Sequence, residues 1–132
     1  MKKIIIVIER SADLFDAYSD NCDGIYGAGD TLEECKADIE TSIRQIKEKL
    51  PIEQWPEELK GEYELEYKLD TQSFLEYFSQ YISLAGMERI TGVNQKQLSN
   101  YLNRRSKPRK PQIERISKGL RRFASELLSI TL

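Results

Sequence analysis

Residues 24–35, GIYGAGDTLEEC, mark the change from strand to helix that decides the fold of the first half of the chain. Thr31 and Glu34 have the spacing of a capping box, in which the hydroxyl accepts a hydrogen bond from an early helix N–H and the carboxylate reaches back. Leu32 then opens an apolar stripe at intervals of three and four residues, which Pro51 stops. We therefore predict a helix of about five turns that lies on a sheet. The stripe consists of Leu32, Cys35, Ile39, Ile43, Ile46 and Leu50.

Four segments around this helix have the composition of strands. Residues 4–8 are a run of Ile and Val whose β-branched content and short length predict a central strand covered on both faces. Residues 15–19 and 24–28 follow, separated by turn-forming residues, and the three segments predict an antiparallel meander. Residues 63–67 alternate apolar and charged side chains, which predicts a half-exposed strand. The predicted order is βββαβ, with a surface loop at residues 51–61.

The second half of the chain has the pattern of a helical bundle. Ser73 and Glu76 repeat the capping-box spacing and predict a helix with an aromatic core face. Residues 84–91 predict a second helix, which Gly92 ends in the left-handed conformation. The aromatic face of the first of these helices consists of Phe74, Tyr77, Phe78 and Tyr81.

A third helix, predicted over residues 95–103 and capped by Asn94, has the composition of a recognition helix. Leu98, Tyr101 and Leu102 face inward, and the polar side chains face outward. A helix, a glycine turn and a capped polar helix form the helix-turn-helix pattern, whose second helix enters the DNA major groove. Gln and Asn suit adenine, Ser either purine, and Lys guanine or phosphate. The predicted DNA-binding residues of this helix are Gln95, Lys96, Gln97, Ser99, Asn100 and Asn103.

A run of cations follows the recognition helix directly. Five positive side chains fall within residues 104–111, where Pro108 and Pro111 favour an extended path. The position of the run predicts contact with DNA phosphates, and a solvated linker is the alternative. The predicted phosphate-binding residues are Arg104, Arg105, Lys107, Arg109 and Lys110.

The last helix is predicted over residues 111–128 and carries one apolar stripe. The stripe is expected to pack on the three preceding helices. Its heptad spacing also permits the seam of a homodimer, whose two-fold symmetry would match palindromic half-sites in DNA. The stripe consists of Ile113, Ile116, Leu120, Phe123 and Leu127.

Charge divides the chain into two halves of opposite sign. Residues 1–72 carry nine Lys and Arg against eighteen Asp and Glu, and residues 73–132 carry eleven against four. The formal charges are therefore −9 (9 − 18) and +7 (11 − 4). We predict two domains, at residues 1–70 and 73–132, of which the acidic one suits a basic partner and the basic one a polyanion.

Composition also restricts the chemistry. The chain has no histidine, the commonest general base and metal ligand, and its dispersed carboxylates are expected to be solvated or partner-facing instead of forming a metal site. Its longest apolar run is five residues, against about 20 needed to cross a bilayer. We therefore expect a cytoplasmic protein without membrane contact, in which Cys22 and Cys35 are reduced structural thiols.

Two parts of the chain resemble known families. Residues 15–43 resemble the HicB antitoxin family, and residues 84–129 are similar to lambda-repressor-like helix-turn-helix domains, an arrangement known among HicB proteins. Glu88 stands where the second pattern usually has a small residue. The matching residues are Phe15-x-Ala17-Tyr18 and Gly24-x-Tyr26-x-x-Gly29-Asp30-Thr31-Leu32-Glu33-Glu34 in the first part, and Thr91-Gly92-Val93-Asn94-Gln95 and Leu98-Ser99-x-Tyr101-Leu102 in the second.

The resemblance implies an α+β protein whose first domain is a partial ribonuclease H-like fold that has lost nuclease activity. It implies a type II antitoxin, not an enzyme and without a cofactor, that neutralises a small, basic HicA-type toxin cleaving mRNA. It also implies binding to the operator of its own operon, as a homodimer or a larger assembly.

Two alternatives to the antitoxin remain open. The first is a stand-alone transcription regulator whose first domain senses a ligand or serves assembly. The second is an active ribonuclease H-like enzyme that depends on Glu9 or Asp16.

Overall fold

The computed structural model describes residues 1–11 and 13–132. Within them the chain has one four-stranded mixed sheet and five α-helices, so the predicted α+β class is confirmed. The chain divides into two compact units, Met1–Asp70 and Thr71–Leu132.

The sheet of the first unit combines antiparallel and parallel pairs. Its strands are β1 (Lys2–Ser11), β2 (Leu14–Ser19), β3 (Tyr26–Gly29) and β4 (Tyr63–Leu69), in the order β3-β2-β1-β4. The pairs β1–β2 and β2–β3 are antiparallel, so the predicted meander is confirmed. Strand β4 lies parallel to β1, with Lys2 opposite Tyr63. This long-range pair completes the sheet and places β1 in its interior.

One face of β1 is buried and the other is not. Ile4, Ile6 and Ile8 are at most 1% exposed, whereas Ile5 and Val7 on the opposite face are only half-buried. The prediction that this strand is covered on both faces is wrong. The physical reason is that helix α1 covers one face alone, and the described residues of this unit form no second α-helix to cover the other.

Helix α1 (Leu32–Lys49) begins at the predicted cap. The Thr31 hydroxyl accepts from Glu34 N–H at 3.1 Å, and the Glu34 carboxylate accepts from Asp30 N–H at 3.0 Å, one residue before the usual capping-box partner. The turn into the helix is tight, because a Cβ on Gly29 would lie 2.6 Å from the Cys35 nitrogen. The buried part of the stripe consists of Leu32, Cys35, Ile39 and Ile43.

Residues 51–61 are not the plain loop that the sequence predicts. They contain two 3₁₀ turns, Ile52–Gln54 and Glu57–Leu59, and Leu59 is buried in the core. The Lys2 ammonium ties the second turn to β1 by donating to the Glu57 and Lys60 carbonyl oxygens at 2.8 Å. Packing of one apolar side chain thus orders a segment whose prolines favour a loop.

Both cysteines are free, buried thiols in the first unit. Burial, reinforced by the nearby Glu58 carboxylate, raises the pKa of Cys22 from 9.0 to about 11. Burial likewise raises the pKa of Cys35. The neutral thiol is therefore the stable form of both side chains near neutral pH, and neither is a reactive thiolate.

The second unit consists of α2 (Thr71–Phe78), α3 (Leu84–Thr91), α4 (Gln95–Leu102) and α5 (Lys110–Leu128). The predicted existence and order of these helices are confirmed. Their shared core contains Leu75, Met87, Val93, Leu98, Tyr101 and Ile116.

Helix α2 differs from its prediction. It begins two residues before Ser73, which lies buried inside the helix instead of capping it. Tyr81 lies beyond the end of the helix and is 68% exposed, whereas Leu75 is the buried side chain. The aromatic core prediction is therefore wrong for Tyr81. The residues at 70 and 71 are Asp and Thr, which also favour helix starts, and the helix ends at Phe78, three residues before Tyr81.

Helix α5 packs through the middle of its apolar stripe. Ile116 is buried and Leu120 and Phe123 are half-buried, but Ile113 and Leu127 at either end of the predicted stripe are exposed. The crossing with α3 is close, because a Cβ on Gly119 would lie 2.4 Å from the Ile90 carbonyl oxygen. The last turn of α5, after Phe123, thus extends past the buried core.

Candidate nucleic-acid interface

Local hydrogen bonds fix the turn between α3 and α4. Gly92 has a φ of +74° and donates its N–H to the Glu88 carbonyl oxygen at 2.7 Å, the left-handed helix end that the sequence predicts. The buried Thr91 hydroxyl accepts from Val93 N–H at 3.1 Å. Asn94 then caps α4, its side-chain oxygen accepting from Lys96 N–H at 2.7 Å. Because every polar group named here has a local partner, the orientation of α4 against α3 is well determined.

Glu88 adds a contact that the sequence did not predict. Its carboxylate accepts from Gln95 N–H at 2.6 Å, across the turn from α3 to the first residue of α4. A negative charge at this point is favourable, since the N-terminus of a helix carries partial positive charge. The exposed side chain therefore fits without entering the contact between the two helices. The sequence indicated only that a charged residue stands at an unusual position before the turn glycine. The spacing of residues did not identify Gln95 as its hydrogen-bond partner.

The exposed face of α4 contains most of the predicted base-contacting residues. Gln95, Ser99 and Asn103 follow one another at four-residue intervals on the side opposite the buried Tyr101; Gln95 and Asn103 are exposed and Ser99 is half-buried. Lys96 lies beside them and is exposed. The structure thus brings these four residues onto one surface.

Two predicted residues of α4 lie farther from this surface. Asn100, half-buried, flanks it, with its carbonyl oxygen accepting from Arg105 N–H. Gln97 is also half-buried, and helical periodicity places it on the Tyr101 side. Gln97 is therefore not brought together with Gln95 and Ser99.

An open groove lies at the start of α4, between it and α3. At the far end of the same face, the Asn103 amide donates to the Ser99 carbonyl oxygen at 2.9 Å, so it is bound to its own helix. The groove is lined by Leu84, Glu88, Asn94, Gln95, Lys96 and Ser99.

Arg104 ends α4 in a conformation that glycine usually adopts. Its φ is +59°, its N–H donates to the Tyr101 carbonyl oxygen at 3.2 Å, and Arg105 N–H donates to that of Asn100 at 2.8 Å. This is the Schellman pattern. The Arg104 guanidinium donates to the Gln72 side-chain oxygen on α2 at 2.9 Å. In this conformation Arg104 contacts α2 instead of extending away from α4.

The other four cations of the run surround the start of α5. Arg105, Lys107, Arg109 and Lys110 are exposed, and Arg109 is the N-cap residue in an extended conformation without a side-chain capping bond. The first turn of α5 carries no acidic residue. Cations beside the partly positive helix N-terminus repel it, and an anion placed there would relieve the repulsion. The arrangement produces a strongly positive surface next to α4.

The acidic residues of the first unit do not form a comparable site. Glu9 lies opposite Asp16 in the β1–β2 pair, and both are exposed. Among residues 1–11 and 13–132, no three Cys, Asp or Glu side chains are grouped so that they could hold a metal ion.

The same described residues form no helix with the length and apolarity needed to span a bilayer. No protein-family model matches this sequence, and no curated protein or solved structure is significantly similar to it. The functional proposal therefore depends on the residues described above.

Proposed function

We propose that this chain is the antitoxin of a type II toxin–antitoxin pair, in which the second unit binds operator DNA and the first unit binds and blocks a small, basic, HicA-type toxin. The observation that carries its DNA-binding part is the polar face of α4, followed directly along the chain by four exposed cations that surround the start of α5. Uncharged amides and hydroxyls read base edges, and adjacent cations bind phosphates. These two kinds of side chain stand side by side on one helical unit.

In this proposal α3 and α4 are a helix-turn-helix, and α4 enters the major groove. The capped three-residue turn and the short α4, exposed along one side, support that assignment. The first unit, with its βββαβ order, is proposed to be the partial ribonuclease H-like domain. Its formal charge of −9 over residues 1–72 suits a basic protein partner.

We also propose a homodimer formed through the end of α5. Leu127, Leu128 and Ile130, at and just beyond the end of α5, are 58%, 88% and 62% exposed, and water solvates such large apolar side chains poorly. Pairing with a second copy would bury them and present two α4 helices to two half-sites of DNA.

Gel-shift and anisotropy measurements on the chain's own promoter test the DNA part. Gln95→Ala should cost about 1–3 kcal/mol of binding free energy at one base position and relax sequence preference there. Arg105→Ala should weaken binding to all sequences alike and lower the salt slope by about one unit. Gln97→Ala is the matched control, because Gln97 lies off the exposed face and its removal should change neither quantity. If the dependence of DNA affinity on salt concentration is unchanged in Arg105→Ala, residues 104–110 are a solvated linker that does not contact phosphates.

Co-expression with the adjacent small reading frame tests the toxin part. We expect that product to arrest growth alone, and to be neutralised and co-purified when this chain is present. Promoter binding without a toxic neighbour would instead support the stand-alone regulator.

A further inference from the structure

The strand register aligns two tyrosines, a valine and a lysine in one row across the uncovered face of the sheet. Tyr26 pairs with Tyr18, Tyr18 with Val7, and Val7 with Lys68, so the row crosses all four strands. Side chains directly opposite one another share a face and lie about 4.5–5.5 Å apart at Cβ. We call this surface the open face; it is opposite the face that α1 covers.

The centre of the open face is apolar and accessible. Tyr26 is 67% exposed and Tyr18 38% exposed, and Ile5 and Val7 beside them are half-buried. Tyrosine is enriched in protein interfaces, because it buries a large surface while its hydroxyl keeps a polar contact. Two tyrosines with aliphatic neighbours are the composition of an interface core.

Charge surrounds this apolar centre. The paired positions of the open face carry two lysines and four carboxylates. Lys3 is 4.0 Å from Glu64, so that pair is partly neutralised. Glu9 and Asp16 lie opposite each other at one side of the tyrosines, and two like charges at a cross-strand pair repel. A cationic partner would relieve that repulsion. The carboxylates are Glu9, Asp16, Glu64 and Glu66.

We propose that the open face is the surface that binds the toxin, with Tyr18 and Tyr26 as its apolar anchors and Glu9 and Asp16 as contacts for basic side chains. This inference rests on the proposed function and narrows the partner-binding surface from a whole unit to one side of one sheet. The charged residues around the tyrosines form the rim of the open face. The occupant is a small basic protein, since the excess of carboxylates at this rim disfavours an acidic partner.

Titration of the purified adjacent-frame product into the full-length chain tests the inference. Tyr26→Arg should weaken the complex at least about tenfold, since anchor residues lose this much or more when changed. Tyr81→Arg is the matched control, because Tyr81 is 68% exposed, as Tyr26 is, but lies in the second unit. It should leave toxin affinity unchanged. Tyr18→Ser, milder than the arginine change, should also weaken binding, and circular dichroism should show that each variant is folded.

The rim is tested separately by kinetics. The double change Glu9→Gln and Asp16→Asn should slow association and reduce its dependence on salt, while dissociation changes less. If the unaltered chain binds the toxin and the folded Tyr26→Arg and Tyr18→Ser variants bind it with normal affinity, the open face is not the toxin-binding surface. The proposed antitoxin function would still stand. Failure of the unaltered chain to bind overturns both. A drop in the chain's own oligomeric mass in the tyrosine variants, with toxin affinity intact, would show that a second copy occupies this face.

Discussion

The open face of the first unit and the polar face of α4 are both exposed surfaces, but different parts of the chain hold them in place. The row from Tyr26 to Lys68 needs four strands drawn from positions spread over the first unit. The α4 face comes from one helix of eight residues. A helix that short is unstable alone in water, where about 12–15 residues are needed, so it depends on its caps and on core contacts. A destabilising substitution in one unit should therefore leave the surface of the other unit intact.

Removing one core side chain from each unit should have the largest effects. Leu98→Ala should cost about 2–5 kcal/mol of unfolding free energy and abolish DNA binding, because Leu98 is fully buried in α4. Urea unfolding followed by the fluorescence of Trp55, the single tryptophan, should be unchanged, since Trp55 lies in the first unit.

Ile39→Ala, fully buried in α1, is the matched change and should do the opposite. It should shift the Trp55 transition and leave DNA affinity intact. If both variants shift one common transition, the two units unfold together and the comparison fails.

A smaller change places the same backbone strain in each unit. Gly92 and Gly61 have φ values of +74° and +78°, so Gly92→Ala and Gly61→Ala should each cost about 1–2 kcal/mol in unfolding free energy. Only Gly92→Ala should lower DNA affinity, because it reorients α4. Gel shifts that show equal losses for both variants would contradict this local role of the turn.

The smallest effect concerns alkaline pH. The unfolded Cys22 thiol ionises near pH 9.0, whereas the folded one has a pKa of about 11 and keeps its proton. The folded state then binds more protons, so stability is full below pH 9 and falls as pH rises from 9 to 11, by about 1 kcal/mol near pH 10. Trp55-monitored unfolding should show this loss in the first unit, and Cys22→Ala should flatten it. An equal loss in that variant would assign the effect to other groups.

Elements fixed by local chemistry were predicted well from the sequence. Helices α3 and α4 have the predicted limits to within a residue because Gly92 and Asn94 act on their own neighbours. Helix α2 was misplaced although it has a matching motif. Ser73 and Glu76 fit the capping spacing, but residues 70 and 71 offered an equally suitable start that pattern alone could not rank.

Features fixed by distant contacts were not predictable. The pairing of β4 with β1, the burial of Leu59 and the bond from Arg104 to Gln72 all join residues far apart in the chain. The candidate site shows the same division. Composition predicted the polar face of α4, and four-residue spacing from Tyr101 already places Gln97 off that face, whereas the contact of Glu88 with Gln95 depends on how two helices meet.

The parallel pairing of β1 with β4 also determines the order in which the nascent chain can form its sheet. Lys2 leaves the ribosome about sixty residues before its partner Tyr63. At a translation rate of about 5–20 residues per second, that edge of β1 remains unpaired for roughly 3–12 s. During this interval β1 can pair only with β2, and the second unit has yet to be made. A protein produced in this order completes its acidic half before its basic half, so a partner bound during translation would meet the sheet first.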